Sequence, residues 1–346
     1  MIKCKGCGAI LQNENPNKEG YVRNLEKDLC ERCFKIRHYN EYRFVDKDNN
    51  YYLNIIDKIN KTNDLVLIVT DFLNTESIKE ININNPVILV LTKQDLIPRH
   101  IDENKILNNI TSNLNIVSKL VVGAKNNYNL DSLFNKINKY KKSNNVYIIG
   151  YTNAGKSTLI NKMIKNYSES NEQITTSILP STTLDLIDIR INNALNLIDT
   201  PGLLDDGSII LNIKKDTLNK IIPKKEIKPA VIQIKINQTI IIDNLIRLDV
   251  KAGTNLIFYI SNNLKLERVY KKTDKLKEKK QYNINLKANH DLVIKGLGFI
   301  KTTKDTNITL YLDENIKFIN RQSLIWLFFL CVYVIIDNRV IICWEQ

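Results

Sequence analysis

Between residues 50 and 200 the chain alternates short apolar runs with stretches of helical periodicity. The runs are "LVLIVT", "PVILVL", "KLVVGA", "VYIIG" and "NLID". That alternation is the pattern of a parallel sheet flanked by helices, so an α/β domain is expected here. After about residue 227 the texture changes to short β-branched runs, "AVIQIKI", "NLIFYIS", "YNINLK", "DLVIK" and "ITLYLD", broken by Asn, Asp and Gly. These predict a mainly β domain. Residues 1 to 45 are rich in turns and cysteines and too few to bury much core without a staple. A last apolar run, "LIWLFFLCVYVII" at 324–336, is followed by Asp337 and Arg339. A membrane-spanning helix needs about 20 apolar residues, so this shorter run reads as a buried strand or helix. A weak tail anchor and a read-through peptide without a role are the alternatives.

Charge adds a partner class. The 346 residues carry a net charge of +13, and 43% are hydrophobic, ordinary for a globular chain. A basic surface gains affinity for polyanions by displacing counterions, which puts nucleic acid first. Abundant Lys, Asn and Ile from an AT-rich genome would explain part of the charge equally well. The opening "MIKCKGCG" has no apolar run, so no signal or transit peptide is expected and the cytoplasm is the expected compartment.

Cysteine spacing points to a metal. Cys4 and Cys7, then Cys30 and Cys33, give C-x-x-C twice. Each pair can aim two thiolates at one tetrahedral ion, so the four predict a closed, structural zinc site rather than a redox motif. The stretch that follows, "CFKIRHYNEYR", interleaves Lys35, Arg37, His38 and Arg43 with Phe34, Tyr39 and Tyr42. Such a mixture suits RNA, while packing of the rings onto the next domain is the alternative for any one of them.

The nucleotide motifs are specific. Residues 150–157, "GYTNAGKS", match G-x-x-x-x-G-K-[ST], with an apolar strand before and an amphipathic helix after. Gly150 and Gly155 let backbone N–H groups curl around phosphates, Lys156 is placed for the β- and γ-phosphates, and Ser157 for Mg²⁺. Asn153, Ala154 and Thr158 complete the loop's expected contacts. In "LIDTPG", Asp199 is expected to hold magnesium through water and Gly202 to offer its N–H to a γ-phosphate. In "PSTTLD", Thr183 is the expected switch residue on Mg²⁺, with Thr182 as the alternative. Asp95 in "TKQD" can accept from the N1 and N2 hydrogens of guanine, which favours GTP over ATP and argues against a P-loop kinase or metabolic ATPase. Lys93 would lay its stem along base and ribose. In "VVGAK", the Ala124 N–H is expected to meet guanine O6, with Gly123 and Lys125 beside it. The order along the chain is therefore base box, second base loop, P-loop, switch I, switch II. Ordinary GTPases start from the P-loop, so this site is complete but circularly permuted, with the old termini joined near "KKSNNV" at 141–146.

With those residues in place, the chain resembles the circularly permuted GTPases of the YqeH family, bacterial ribosome-assembly factors. The likeness runs from "CKGCG" and "CERCFKIRHYNEY", through the five nucleotide motifs, to "PKKEIKP", "GLGFIK" and "RQSLI". The resemblance implies a monomeric GTPase that binds the small (30S) ribosomal subunit, its precursor or rRNA, with no membrane partner. It implies the division 1–45 (zinc module), 50–212 (permuted GTPase domain), 213–228 (basic connector) and 229–325 (mainly β, RNA- or ribosome-binding), leaving 326–346 as an apolar tail without counterpart. Leu203 stands where many GTPases carry a catalytic glutamine, implying slow intrinsic hydrolysis. Asn153 resembles the asparagine that ligates K⁺ in cation-dependent GTPases, implying activation by potassium.

Two departures bear on the base site. Thr92 stands where the base box has Asn, and Gly123 where the second loop has Ser. With Leu203, they leave room for a second class of function, a GTP-sensing RNA-binding scaffold with little or no hydrolysis. Permutation also sends switch II directly into the C-terminal domain, as a nucleotide-controlled hinge between two RNA-contacting ends. Lys214, Lys215, Lys220, Lys224, Lys225 and Lys228 crowd the connector, and Lys271, Lys272, Lys275, Lys277, Lys279 and Lys280 a second region. RNA contact is the reading for the connector; for the second region a solvated face is an equal alternative.

Overall fold

The computed structural model describes residues 2–16, 18–34, 49–168, 186–270, 273–325, 331–336 and 339–344. The chain divides into two compact units, Met1–Gln94 with Thr111–Asp205, and Asp95–Ile110 with Asp206–Gln346.

In the first unit, β1 (Leu65–Asp71), β2 (Val87–Thr92), β3 (Ile116–Val121), β4 (Asn145–Gly150), β5 (Ile187–Asn192) and β6 (Leu195–Asp199) form one sheet. Their order is β3-β2-β1-β4-β6-β5. Only β5 runs antiparallel to its neighbour. Both β1 and β2 are buried along their whole length, which is why they read as unbroken apolar runs. Helix α1 (Asn49–Asn60) precedes β1, while α3 (Leu130–Tyr140) and α4 (Lys156–Tyr167) bracket β4; α2 (Glu103–Asn109) belongs to the second unit. Leu130, Leu133 and Ile137 of α3, with Leu159, Ile160, Met163 and Ile164 of α4, put a helical stripe into the same core as the strands.

The strand that carries the P-loop, β4, is fourth in sequence but sits in mid-sheet, between β1 and β6. Register aligns the ends of its neighbours, with Asp71 opposite Thr92, Val69 opposite Gly150 and Ile148 opposite Asp199. The carboxyl ends of the parallel strands thus form one rim, the place where open α/β sheets bind ligands. Between α3 and β4 the link is short. Ser143 Oγ donates to Asp64 Oδ1 at 2.6 Å and accepts from Asn145 N at 2.9 Å, which ties the turn down.

The cysteine module lies at the start of this unit. Isolated bridges join Lys3 to Ile10 and Gln12 to Tyr21, and Ala9, Leu11 and Val22 pack with the four cysteines. Phe34 is exposed. Lys35, Arg37, His38, Tyr39, Tyr42 and Arg43 lie outside the described residues.

The second unit holds two mostly antiparallel sheets. One contains β7 (Ala230–Ile234), β10 (Thr254–Ile260), β13 (His290–Ile294), β14 (Gly298–Thr302), β16 (Phe318–Gln322) and the tail strands β17 (Cys331–Ile336) and β18 (Arg339–Trp344). The other contains β8 (Gln238–Ile242), β9 (Ile246–Val250), β11 (Leu266–Val269), β12 (Lys280–Leu286) and β15 (Thr306–Leu312). Both contribute to one apolar cluster, including Ile240, Leu248, Phe258, Leu292 and Leu310. The described residues of the apolar tail, β17 and β18, pair antiparallel, and β17 adds to β7 in parallel at Val334 and Val231. Among the described residues no helix is long and apolar enough to cross a membrane.

Residues 95–110, which directly continue the "TKQD" stretch, belong to this second unit. Leu96 O accepts from Ile227 N at 2.9 Å, Arg99 pairs with Glu226 at 3.1 Å, and Asn109 Nδ2 donates to Leu324 O at 3.0 Å. The residues after switch II are gripped here too. Ile209 N donates to Lys295 O at 2.9 Å and Lys317 N to Gly207 O at 2.8 Å. Helix α5 (Lys215–Ile221) follows.

Candidate nucleotide site and metal centre

The P-loop turns from β4 into α4 through residues that few side chains tolerate. A Cβ on Gly150 would lie 2.4 Å from the Val69 backbone oxygen, so only glycine fits against β1. Asn153 and Gly155 both have left-handed backbones, with φ of 64° and 89°. The Nδ2 of Asn153 is buried, with no hydrogen-bond partner among the described residues. Lys156, the first residue of α4, is 5% exposed, and its ammonium donates to Asp199 Oδ1 at 3.0 Å and to Thr200 O at 2.6 Å. Lys156, expected to meet phosphate, and Asp199, expected to hold magnesium, therefore meet at one point. Ser157 is half-buried and Thr158 exposed at the start of the same helix.

Switch II runs past this loop. Leu203 N donates to Gly150 O at 3.1 Å, and Thr152 N donates to Leu203 O at 2.9 Å. Gly202 is buried against Thr152, whose Cγ2 lies 3.2 Å from the position of an added Cβ. Beyond it, Asp205 accepts from Ser77 Oγ at 2.9 Å, both side chains buried. Thr182 and Thr183 lie outside the described residues.

The base box is tied to the P-loop by the residue that departs from the usual asparagine. Thr92 is 3% exposed, and its Oγ1 lies 2.5 Å from Ala154 O and 2.9 Å from Thr70 O. One hydroxyl thus bridges β2, β1 and the P-loop. Lys93 has a φ of 56°, and its Cε passes 3.9 Å from the Cβ position of Gly155. Its ammonium pairs with Asp71 Oδ2 at 2.6 Å. Asp95 follows in a 3-10 turn, Gln94–Leu96.

The second departure has a local substitute as well. A Cβ on Gly123 would lie 2.2 Å from Asn126 Oδ1, so the space of the missing serine is taken by that amide. Asn126 Nδ2 donates to Gln94 Oε1 at 3.3 Å, joining the two base loops, and its Oδ1 accepts from Tyr128 N at 3.4 Å. Gly123 and Tyr128 close the loop with two backbone bonds of 3.0 Å, leaving Ala124 and Lys125 at its turn. Sequence reasoning did not single out Asp71 or Asn126. A signal existed for Asp71, an acid closing a mostly apolar strand opposite Thr92.

The four cysteine sulfurs lie within 4.8 Å of one another, and all four residues are buried. Cys7 and Cys30 Sγ are 3.8 Å apart, the edge of a tetrahedron with metal–sulfur bonds of about 2.3 Å. Backbone N–H groups of Gly6 and Cys30 point at Cys4 Sγ, at 3.4 and 3.2 Å, as they would at a thiolate. Hydrogen bonds from Cys30 and Cys33 hold the Cys4 thiol below its ordinary range. The donor set and spacing fit zinc.

The comparisons with known proteins follow the same order of motifs. The RsgA GTPase family matches residues 65–207, from the strand before the base box to the end of switch II. A family described as 50S ribosome-binding GTPase matches residues 145–284, beginning at the P-loop strand. YqeH of Bacillus subtilis (strain 168) is 29% identical over an alignment of 363 residues, covering 94% of this chain and 99% of the relative. The chain is a circularly permuted GTPase of the YqeH type. Two eukaryotic proteins share part of it. NO-associated protein 1 of Arabidopsis thaliana is 26% identical over 58% of this chain and 43% of its own length. The nuclear GTP-binding protein NUG1 of Saccharomyces cerevisiae is 27% identical over 54% of this chain and 41% of its own length. As a YqeH-type GTPase the protein binds GTP and GDP and is related to ribosome-biogenesis GTPases.

The two lysine clusters differ in their surroundings. Lys275, Lys277, Lys279 and Lys280 each pair with a carboxylate, of Glu267, Asp274, Asp313 and Glu314. Lys271 and Lys272 lie outside the described residues. In the connector, Lys220 pairs with Asp243 at 3.1 Å. Lys214, Lys224, Lys225 and Lys228 are exposed, and the described residues hold no carboxylate in contact with them. Among the described residues of the two clusters, the unneutralised charge is therefore on the connector.

Proposed function

We propose that this YqeH-type protein is a monomeric, cytoplasmic switch that binds and hydrolyses GTP during assembly of the small (30S) ribosomal subunit, docked on rRNA or the pre-ribosome. The observation that carries this is the conjunction of a nucleotide rim with exposed connector lysines, next to switch II in the chain, that have no carboxylate in contact among the described residues. Lys156 holds the β- and γ-phosphates, Gly202 reports the γ-phosphate, and Asp95, Lys93 and Ala124 read and support guanine. Ser157, Thr183 and Asp199 are the residues that would hold magnesium, which when bound offsets charge on the phosphate oxygens. Cys4, Cys7, Cys30 and Cys33 would hold structural zinc.

Potassium activation rests on Asn153. Its buried Nδ2 has no hydrogen-bond partner among the described residues, and rotation of the amide would bring its oxygen to that place as a cation ligand. Such a cation would supply the charge that an arginine finger supplies elsewhere. Loss of the γ-phosphate frees Gly202 and, through the chain, the segment gripped by Lys295 and Lys317. The second reading, a GTP-sensing scaffold with little or no hydrolysis, is favoured by Leu203, which offers no group to orient water.

GTP hydrolysis in K⁺ and in Na⁺ buffer, alone and with isolated small or large subunits, decides between them. Stimulation by small subunits, greater in K⁺, is expected. Stimulation by large subunits alone would move the partner, and GTP binding without turnover in any mixture would leave the scaffold.

A further inference from the structure

Asp71 ends β1 and takes part in none of the roles above. Its side chain is 6% exposed. Oδ1 accepts from Leu73 N at 3.0 Å and from Asn74 Nδ2 at 2.8 Å, so the residues after the strand fix the carboxylate. Oδ2 faces the other way and accepts from Lys93 Nζ at 2.6 Å.

Lys93 is held at three points. Its backbone is left-handed, its stem passes the P-loop at Gly155, and its head is on Asp71. A lysine loses about 2 kcal/mol of rotamer freedom when it is ordered. A stem laid out before the ligand arrives spares binding that loss. We infer that Asp71 is a positioning residue for guanine-nucleotide binding, holding the Lys93 ammonium so that the lysine stem forms a ready shelf for base and ribose. Asp71 itself touches no nucleotide. The inference rests on the reading of Lys93 as the base shelf.

The substitution Asp71→Asn separates this role from support of the strand end. The amide keeps an oxygen for Leu73 N and Asn74, but turns an NH₂ toward the Lys93 ammonium, donor against donor. The test is the dissociation constant of fluorescently labelled GDP for the full chain, Asp71→Asn, Lys93→Ala and the double variant, with a thermal melt of each. Loss of one charge-assisted bond corresponds to about tenfold weaker binding. Asp71→Asn should show that loss, Lys93→Ala at least as much, and the double variant no more than Lys93→Ala alone. If Lys93→Ala binds GDP normally, the shelf reading falls and this inference with it. If Lys93→Ala is weak but Asp71→Asn binds normally, or the two losses multiply, Asp71 does not act through Lys93 and only this inference is overturned.

Discussion

Thr92→Val replaces a hydroxyl by a methyl of the same shape, so it tests the bridge between base box and P-loop without opening a cavity. Thr92 Oγ1 faces two carbonyls, Ala154 O at 2.5 Å and Thr70 O at 2.9 Å. A hydroxyl has one proton and donates to one of them at a time, so one donated bond is lost. With Thr92 3% exposed, water does not replace it, and a buried acceptor deprived of its donor costs about 1–3 kcal/mol. One neutral bond puts the expected loss near the middle of that range, about 1–2 kcal/mol.

Where the loss appears follows from the loop. Ala154 sits between Asn153 and Gly155, both with positive φ, a conformation the loop must be held in from outside. Part of the loss should therefore appear in nucleotide affinity, about three- to tenfold, and the remainder as a lower melting temperature, about 2–4 °C per kcal/mol. Thr92→Ser keeps the hydroxyl and should bind GDP as the parent does, while losing about 0.8 kcal/mol of stability for one buried methyl. The assay is GDP affinity beside a thermal melt. A Thr92→Val protein that matches the parent in both would refute the bridge, since neither folding nor binding would depend on the hydroxyl.

Gly123→Ser should weaken GDP binding a few-fold, because its Cβ would displace the Asn126 amide, and Asn126→Ala in the same chain should recover the loss, read in the same assay. Elemental analysis should find one zinc per chain, and Cys30→Ser should release it and expose the module to limited proteolysis; full zinc retention would remove the four-cysteine assignment. Lys301, fully buried with its ammonium on Ile325 O at 2.7 Å, is pushed down to about 8 by burial against the attraction of Asp291. An unfolded lysine titrates near about 10.4, so between these values the unfolded chain holds the extra proton and stability rises with pH. Burial pushes Tyr259 upward, which reverses the trend above about 10, the ordinary tyrosine value. Urea midpoints should therefore rise from pH 8 to pH 10, and Lys301→Met should flatten the slope.

The parts of this protein that could be read from sequence are those carried by local pattern. Continuous apolar runs became β1, β2 and β4, and the phosphate loop and cysteine pairs announced themselves because their chemistry needs fixed spacing. Less legible was whatever depends on residues distant in sequence. Asp71 meets Lys93 only because parallel pairing puts the ends of β1 and β2 side by side. Nothing in the texture of 95–110 says that it joins the β-rich unit, because the bonds that place it there reach to Ile227, Glu226 and Leu324. The pairing of the second lysine cluster with Glu267, Asp313 and Glu314 likewise needs the strand register, and a lysine count alone overstates its charge.

The same long-range contacts change the weight of the two departures from the family pattern. Read singly, Thr92 and Gly123 look like lost contacts and favour a protein that senses nucleotide without using it. In the folded chain Thr92 reaches a P-loop carbonyl, and Asn126 fills the place of a serine while joining the base loops. Each substitute lies beside the sheet rim that carries the phosphate loop, so on the reading proposed above the base site is supported by different atoms. That leaves Leu203 as the feature on which the scaffold reading stands. Its backbone is committed to Gly150 and Thr152, so it spaces switch II against the P-loop whatever its side chain. A position that serves through its backbone tolerates a hydrophobic side chain without implying that hydrolysis has been abandoned, and the orienting of water then falls to other groups at the rim.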